Sequence, residues 1–456
     1  MRIAMFSWET LHSISVGGVA VHVTELAASL QRLGHEVHVF TRMAWAGQCQ
    51  YEQIYGVHYH RVPYAGCADI VDDVNSMCRS FVTSAYQGED YMGAPFDVVH
   101  AHDWLASNAM VWIKQGRGRK GILTLHSTEY GRCGNNFYGG RSKRIMDHER
   151  HGSYCADKVI AVSWALCKEI KWIYNVPEWK ACMIYNGISY RNFDGMIDQG
   201  RVKANCGIGP MDPTMLYVGR MTSQKGPDLF VEAIPFILKY HPGAKFILSG
   251  EGDMRGKVEN RARQLGVAHA CRFYGVLGRS RLIDLYKACD CVCVPSRNET
   301  FGIVVLEAWA AGKPVVATNN GGPAEFVWHD VNGYKISPAP QSIAWGIGTL
   351  FCDFEHGRWM GRNGRIATET TFSWDTIAGH THGVYISRGM IDRSLSEVEV
   401  SDGDKRFTGS LRLRSGNVNF LIGYCKRGKL KWQTNRRQTR NRLQKTCFSA
   451  ALHCSL

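Results

Sequence analysis

Arg297-Asn298-Glu299-Thr300-Phe301-Gly302-Ile303-Val304-Val305-Leu306-Glu307 is the stretch that decides how the chain is read. Before it, Cys291-Val292-Cys293-Val294-Pro295-Ser296 is a short apolar run that reads as a buried strand. After it, Val304 to Ala311 reads as a helix stopped by Gly312, and Lys313-Pro314-Val315-Val316-Ala317-Thr318 begins another strand. Strand, loop, helix, strand is the grammar of a parallel α/β sheet. A helix begun near Phe301 would turn the free amides of Phe301, Gly302 and Ile303 toward whatever lies beside Glu299, a seat for phosphate. Glu307 would lie about two turns further on, where a carboxylate can accept from vicinal hydroxyls such as a ribose pair. Either glutamate alone would be read as a solvated helix face. The pair gains meaning from its place at a strand's carboxyl end, where ligands bind in open α/β sheets.

The same grammar extends in both directions. Thr214 to Arg220 is a strand, and Pro227 to Lys239 is a helix by its apolar period. Arg220 and Lys225 bracket the turn between them, and two cations beside a helix start suit a diphosphate. Lys245 to Asp253 is a strand ending in a glycine turn. At the amino end, residues 2–8 form a strand. Gly17 and Gly18 form a turn, and a helix from Ala20 to Leu33 places Val23, Leu26, Ala27 and Leu30 on one face. Gly34 stops it, and Glu36 to Phe40 is the next strand. This is a βαβ unit without the GxGxxG dinucleotide fingerprint. Asp97 to Trp104 and Ile122 to Ser127 each deliver histidines at a strand's carboxyl end. His126 faces the expected crevice and is the candidate site residue; His100, His102 and Asp103 read as local structure or acceptor lining. Glu129 to Tyr138, polar, aromatic and rich in glycine, reads either as a sugar-binding wall over the cleft or as a plain surface loop. Residues 191–213 have no strong period and read as the linker between two α/β series.

The Glu299–Glu307 segment resembles the E-x7-E motif of the retaining family-4 glycosyltransferases. Matching segments run in order from residue 1 to about residue 386. The resemblance is strongest to enzymes of the glycogen/starch synthase type. It implies the GT-B fold: two Rossmann-like α/β domains facing a central cleft, with a C-terminal crossover helix. The implied division is an acceptor-side domain at 1–195, a nucleotide-sugar domain at 196–372, the crossover helix at 373–386 and a tail at 387–456. In the resembled family Arg220 and Lys225 neutralise the leaving nucleoside diphosphate, and the backbone near Val276 carries the base. The Gly17–Gly18 loop approaches the donor phosphates and the acceptor. The backbone carbonyl of His126 lies beside the transferred sugar. Glu299 supports the sugar and Glu307 the ribose. The usual aspartate after Asn186-Gly187-Ile188 is replaced by Ser189.

Composition bounds the alternatives. The 456 residues include 54 Lys/Arg and 40 Asp/Glu, a formal charge of +14. Residues 401–456 hold 13 Lys/Arg against 2 Asp/Glu, or +11; the other 400 residues carry 41 against 38, or +3. The basicity therefore belongs to the tail, and a nucleic-acid-binding core is not expected. The tail reads as largely disordered, and its charge would allow peripheral membrane contact. The 16 cysteines include no CxxC pair and no zinc spacing, so free thiols, a reducing cytoplasm and no metal ligand set are expected. Cys289, Cys291 and Cys293 alternate and are expected to share one buried face. No signal peptide or apolar span of membrane length is visible.

The function expected is retaining transfer of a hexose, glucose above others, from ADP- or UDP-glucose to a glucan or other hydroxyl acceptor. The nucleotide sugar is a substrate, and no cofactor is expected. The alternatives are a mannosyl- or other hexosyltransferase acting on a lipid or small acceptor, an epimerase of the same shape, and a non-catalytic binding protein.

Overall fold

The computed structural model describes residues 1–387 and the strands at 410–415, 418–423 and 431–434. In the amino-terminal half the order is β1 (Arg2–Phe6), α1 (Gly18–Arg32), β2 (Glu36–Arg42), β3 (Tyr51–Ile54), β4 (Val57–Val62), α2 (Ile70–Met92), β5 (Val98–His102), α3 (Trp104–Arg117), β6 (Lys120–Leu125), α4 (Glu129–Arg132), α5 (Arg141–Cys155), β7 (Lys158–Ala161), α6 (Trp164–Tyr174) and β8 (Ala181–Met183). After α7 (Gln199–Ala204) a second series follows: β9 (Thr214–Val218), α8 (Pro227–Leu238), β10 (Lys245–Ser249), α9 (Arg255–Gln264), β11 (Cys271–Tyr274), α10 (Arg279–Ala288), β12 (Cys291–Val294), α11 (Ile303–Ala310), β13 (Val315–Thr318), α12 (Pro323–Phe326) and β14 (Gly333–Ile336). The helices α13 (Pro340–Cys352), α14 (Phe354–Thr370) and α15 (Trp374–Ile386) complete the series.

Two sheets result. The first has the order β3-β4-β2-β1-β5-β6-β7-β8, parallel except for the β3–β4 hairpin; the second, β11-β10-β9-β12-β13-β14, is parallel throughout. Strand order reverses between β1 and β5 in one sheet and between β9 and β12 in the other, and such reversals open a crevice at the strands' carboxyl ends. The strands are nearly continuous apolar runs because helices cover both faces.

Local sequence sets the helix ends. Asp69 accepts from the amides of Val71 and Asp72 at the start of α2, and Gly93, in the left-handed conformation, closes it. Ser163 and Ser373 cap α6 and α15 in the same way. The expected apolar face of α1 is the observed one: Val23, Leu26, Ala27 and Leu30 pack with Trp374, Ile377, Ala378 and Tyr385 of α15. Each such large buried side chain contributes about 1.5–3 kcal/mol, enough to return the last helix onto the first sheet.

Four readings change. Helix α11 begins at Ile303 rather than near Phe301, because the Phe301 ring is buried against Tyr185, Phe326 and Phe372. Glu307 accordingly lies about one turn into the helix, not two. Cys289 does not share a face with its neighbours: Cys291 and Cys293 point into the core on one side of β12, whereas Cys289 ends α10 and donates to the Tyr286 carbonyl at 3.3 Å. Within 191–213 lies α7, capped by Asp198, too short to announce itself by period.

The thirteen cysteines among the described residues are free thiols. No helix among the described residues is long and apolar enough to cross a membrane. A separate unit, Met390–Leu456, contains the antiparallel strands β15 (Ser410–Ser415), β16 (Val418–Gly423) and β17 (Lys431–Thr434), where the sequence reading expected no order. The rest of the tail, with the expectation of disorder there, lies outside the described residues.

Candidate active site

Three loops at the carboxyl end of the second sheet are tied into one surface. Arg297, after β12, pairs through both Nη atoms with Asp228 at 2.8 and 2.6 Å and donates to the Ser223 carbonyl, which joins it to the loop after β9. The loop after β13 closes from the other side, where the Gly322 amide donates to the Glu299 carbonyl at 2.9 Å. Gly321 is at φ 60°, and a Cβ there would lie 1.9 Å from that same carbonyl oxygen. Only glycine fits, so the glycine turn is a mould for the Glu299 loop.

On this surface Glu299 and Lys225 meet. The Lys225 ammonium donates to both carboxylate oxygens, at 2.9 and 2.7 Å, and the Ser296 hydroxyl adds a third bond at 3.0 Å. Glu299 is 7% exposed. The carboxylate is thus held by charge-assisted hydrogen bonds in a nearly dry setting. Beside it, the amides of Gly302, Ile303 and Val304 have no protein acceptor among the described residues, as a helix start leaves them. Arg220 lies two residues past the end of β9, exposed and without an ion pair among the described residues. Glu307 accepts from the Tyr286 hydroxyl at 2.6 Å, and burial pushes its pKa up against the opposing effect of that bond. Val276 follows β11 and is 80% exposed.

The first sheet brings a second group to its own carboxyl end. The carboxylate of Glu9 accepts from the amides of Val16 and Gly17 at 2.6 and 2.9 Å. Gly17 has an ordinary extended backbone, and a Cβ at Gly18 would meet nothing within 4 Å. The tight-turn explanation for these glycines therefore fails, and the open space above Gly18 remains as a property of the loop, whereas a Cβ at Gly17 would contact Glu9 Oε1 at 3.7 Å. His126 follows β6. Its amide donates to Asp103 at 2.7 Å, and its ring lies against His22 and His102. Burial drives the His126 pKa down to about 3, so the ring is neutral. Behind it, Arg132 donates to the Ser127 hydroxyl at 2.9 Å and to Glu149 at 2.7 Å. Short helix α4 therefore fixes the start of the loop at 129–138.

The two groups are linked by contacts between the sheets' loops. The Asn298 amide donates to the Gly131 carbonyl at 3.3 Å and to Asn135 Oδ1 at 2.9 Å. The carboxylate of Glu325 accepts from the amides of Trp164 and Ala165, at 3.0 and 2.7 Å, at the start of α6. Among the described residues no direct hydrogen bond joins Gly17 or His126 to Arg220, Lys225 or Glu299. Sequence reasoning missed Ser296, Asn298, Glu325, Tyr286 and Glu9. Ser296 and Asn298 flank Glu299 and could have been flagged by adjacency; the partners of Glu325 and Tyr286 lie far off in sequence and left no local signal.

Residues 16–191 match the profile described as glycosyltransferase family 4, and residues 198–366 match glycosyl transferases group 1. An uncharacterized glycosyltransferase of Methanocaldococcus jannaschii is 37% identical over 86% of this chain and 100% of its own length. A glycogen synthase of Mycobacterium tuberculosis is 30% identical over 85% of this chain and 95% of its own. Among solved structures, an Anabaena protein, HepE, in complex with UDP-glucose superposes with a TM-score of 0.68 at 21% identity, covering 84% of this chain and 99% of that one. The two Rossmann-like domains are those of the GT-B fold. Enzymes of this kind act on a nucleotide sugar and need no further cofactor.

Proposed function

Because this chain belongs to the family-4, group-1 glycosyltransferases, we propose that it transfers glucose, with retention, from a nucleotide sugar to a glucan acceptor. The observation that carries this reading is the Lys225–Glu299 pair beside the amides of Gly302 and Ile303, which have no acceptor among the described residues. A diphosphate placed there meets the Lys225 and Arg220 charges and the start of α11, which together stabilise charge on the leaving group. As it takes Lys225, it releases the oxygens of Glu299 to the sugar hydroxyls and to the positive charge that grows at the anomeric carbon. Glu307, held by Tyr286, accepts from the ribose, and the backbone at Val276 receives the base. The His126 carbonyl stands by the anomeric carbon, and the Gly17–Gly18 loop leaves room for phosphate and acceptor.

The acceptor hydroxyl attacks on the face the diphosphate leaves. The bond from the anomeric carbon to the phosphate oxygen breaks, the new glycosidic bond forms, and the hydroxyl proton goes to the departing phosphate. A glycosidase would need two carboxylates flanking the scissile bond; here Glu307 is engaged by Tyr286 and stands at the nucleotide end. Glucose and a glucan acceptor are favoured by the likeness to glycogen synthase and by the UDP-glucose of the Anabaena protein.

The test is incubation with UDP-, ADP- and GDP-hexoses, with and without a maltooligosaccharide, followed by product separation and anomer assignment. Lengthening by α-linked glucose is the expected result. Donor binding without lengthening would replace the glucan with a lipid or small acceptor. Binding without acceptor-dependent release of nucleoside diphosphate would point to an epimerase or a binding protein.

A further inference from the structure

Sequence spacing gave no metal site, because the residues that could make one come from three separate elements. His22 lies on α1, His102 ends β5 and His126 follows β6. Folding brings one nitrogen of each ring within 4.8 Å of the others. His102 Nδ1 and His126 Nε2 are 3.4 Å apart. That is a poor hydrogen bond, but it equals the edge, about 3.4 Å, between two imidazole nitrogens on a tetrahedral zinc ion with bonds of about 2.0–2.1 Å. His22 Nδ1 is engaged by Asn186 Oδ1 at 2.8 Å, which puts the proton on Nδ1 and leaves Nε2 as a lone pair. This is the outer-shell arrangement that orients metal-binding histidines.

Two further observations point to a ligand. His22 is 4% exposed, yet its Nε2, the nitrogen left as a lone pair, has no hydrogen-bond partner among the described residues. Orphaned buried polar atoms are uncommon and costly. The cluster is also backed by rigid neighbours: the His100 ring lies against His102 at a 33° tilt with ring centroids 4.3 Å apart, and is itself held by Tyr385 and Thr124, both at 2.7 Å. Half-buried His126 provides the open side.

We propose that His22, His102 and His126 form a three-imidazole site for a late first-row divalent cation, Zn²⁺ in the first instance. Three imidazole nitrogens with an open fourth position suit zinc and its neighbours in preference to Mg²⁺ or Ca²⁺. The ion is not a cofactor of glycosyl transfer. It would draw the His126 ring toward His22 and His102 and shift the His126 backbone, so its occupancy opposes transfer wherever His126 serves the sugar.

The experiment uses the full chain, stripped with a chelator. Co²⁺ titration followed by visible absorption, and Zn²⁺ titration by calorimetry, should show one site with a tetrahedral ligand field. X-ray absorption of the zinc-loaded wild type should show imidazole scatterers and no sulfur; sulfur ligands would move the ion to the cysteines and overturn the proposal. His22→Gln and His102→Gln should each weaken binding by at least about tenfold, whereas His269→Gln, on an exposed turn, should not. Unchanged binding in the first two variants, or no binding by the wild type, would also overturn it. These readings do not depend on activity, so they stand apart from the glycosyltransfer reading. If that reading holds, Zn²⁺ inhibition should weaken in His22→Gln.

Discussion

The Lys225–Glu299 pair makes a prediction that separates structure from catalysis. At 2.7–2.9 Å, two unit charges attract by about 6 kcal/mol at an effective dielectric of 20 and about 1.5 kcal/mol in water. Glu299 is nearly buried, but the Lys225 side chain is 23% exposed, so solvent brings the coupling toward the lower value, about 2 kcal/mol. A double-mutant cycle of Lys225→Met and Glu299→Gln, read by urea unfolding, should return that figure. Lys225→Met should be the more damaging single change, because it leaves a carboxylate with only the Ser296 hydroxyl. Nucleotide binding should split the pair. Lys225→Met should weaken UDP or ADP binding by about tenfold or more. Glu299→Gln frees the ammonium and should leave that binding equal or tighter, while turnover falls about 10²–10³-fold. A coupling below about 0.5 kcal/mol, or a Glu299→Gln variant that binds diphosphate about tenfold more weakly, would refute the handover of Lys225 from carboxylate to phosphate.

Other expectations follow from single contacts. Glu325→Ala removes the acceptor of two hydrogen bonds donated by α6 amides, worth about 2 kcal/mol together at a half-buried site; small-angle scattering should show a larger radius of gyration, and an unchanged profile would deny that Glu325 holds the halves together. Gly321→Ala forces a Cβ onto the Glu299 carbonyl and should reduce turnover more than donor affinity; near-normal turnover would mean that the mould does not set Glu299. Trp309 is fully buried and donates to the Asn332 carbonyl at 2.9 Å, so Trp309→Ala should cost about 3–5 kcal/mol in urea unfolding. For Glu307, the folded pKa is raised by burial. The unfolded carboxyl ionises near pH 4.3 and the folded one later. Over that window the native state holds more protons, and stability falls as pH rises. Glu307→Gln should flatten this decline; an unaltered slope would assign it to another group.

The chain by itself determined the alternation of strand and helix, the apolar face of α1, the stop at Gly34 and the position of Glu299 at a strand's end. These rest on periodicity and turn chemistry, which act over a few residues and so are written locally. Helix α7 escaped because about two turns show no period, and Cys289 was misassigned because alternation in sequence continues where the strand does not. Tertiary structure alone decided that Lys225 meets Glu299, that Tyr286 holds Glu307, that Glu325 reaches α6, and that three histidines from α1, β5 and the end of β6 converge. Their partners are tens to hundreds of residues away. Whether an isolated charge or imidazole is solvated, paired or orphaned depends on what folding packs against it, and no local pattern encodes that.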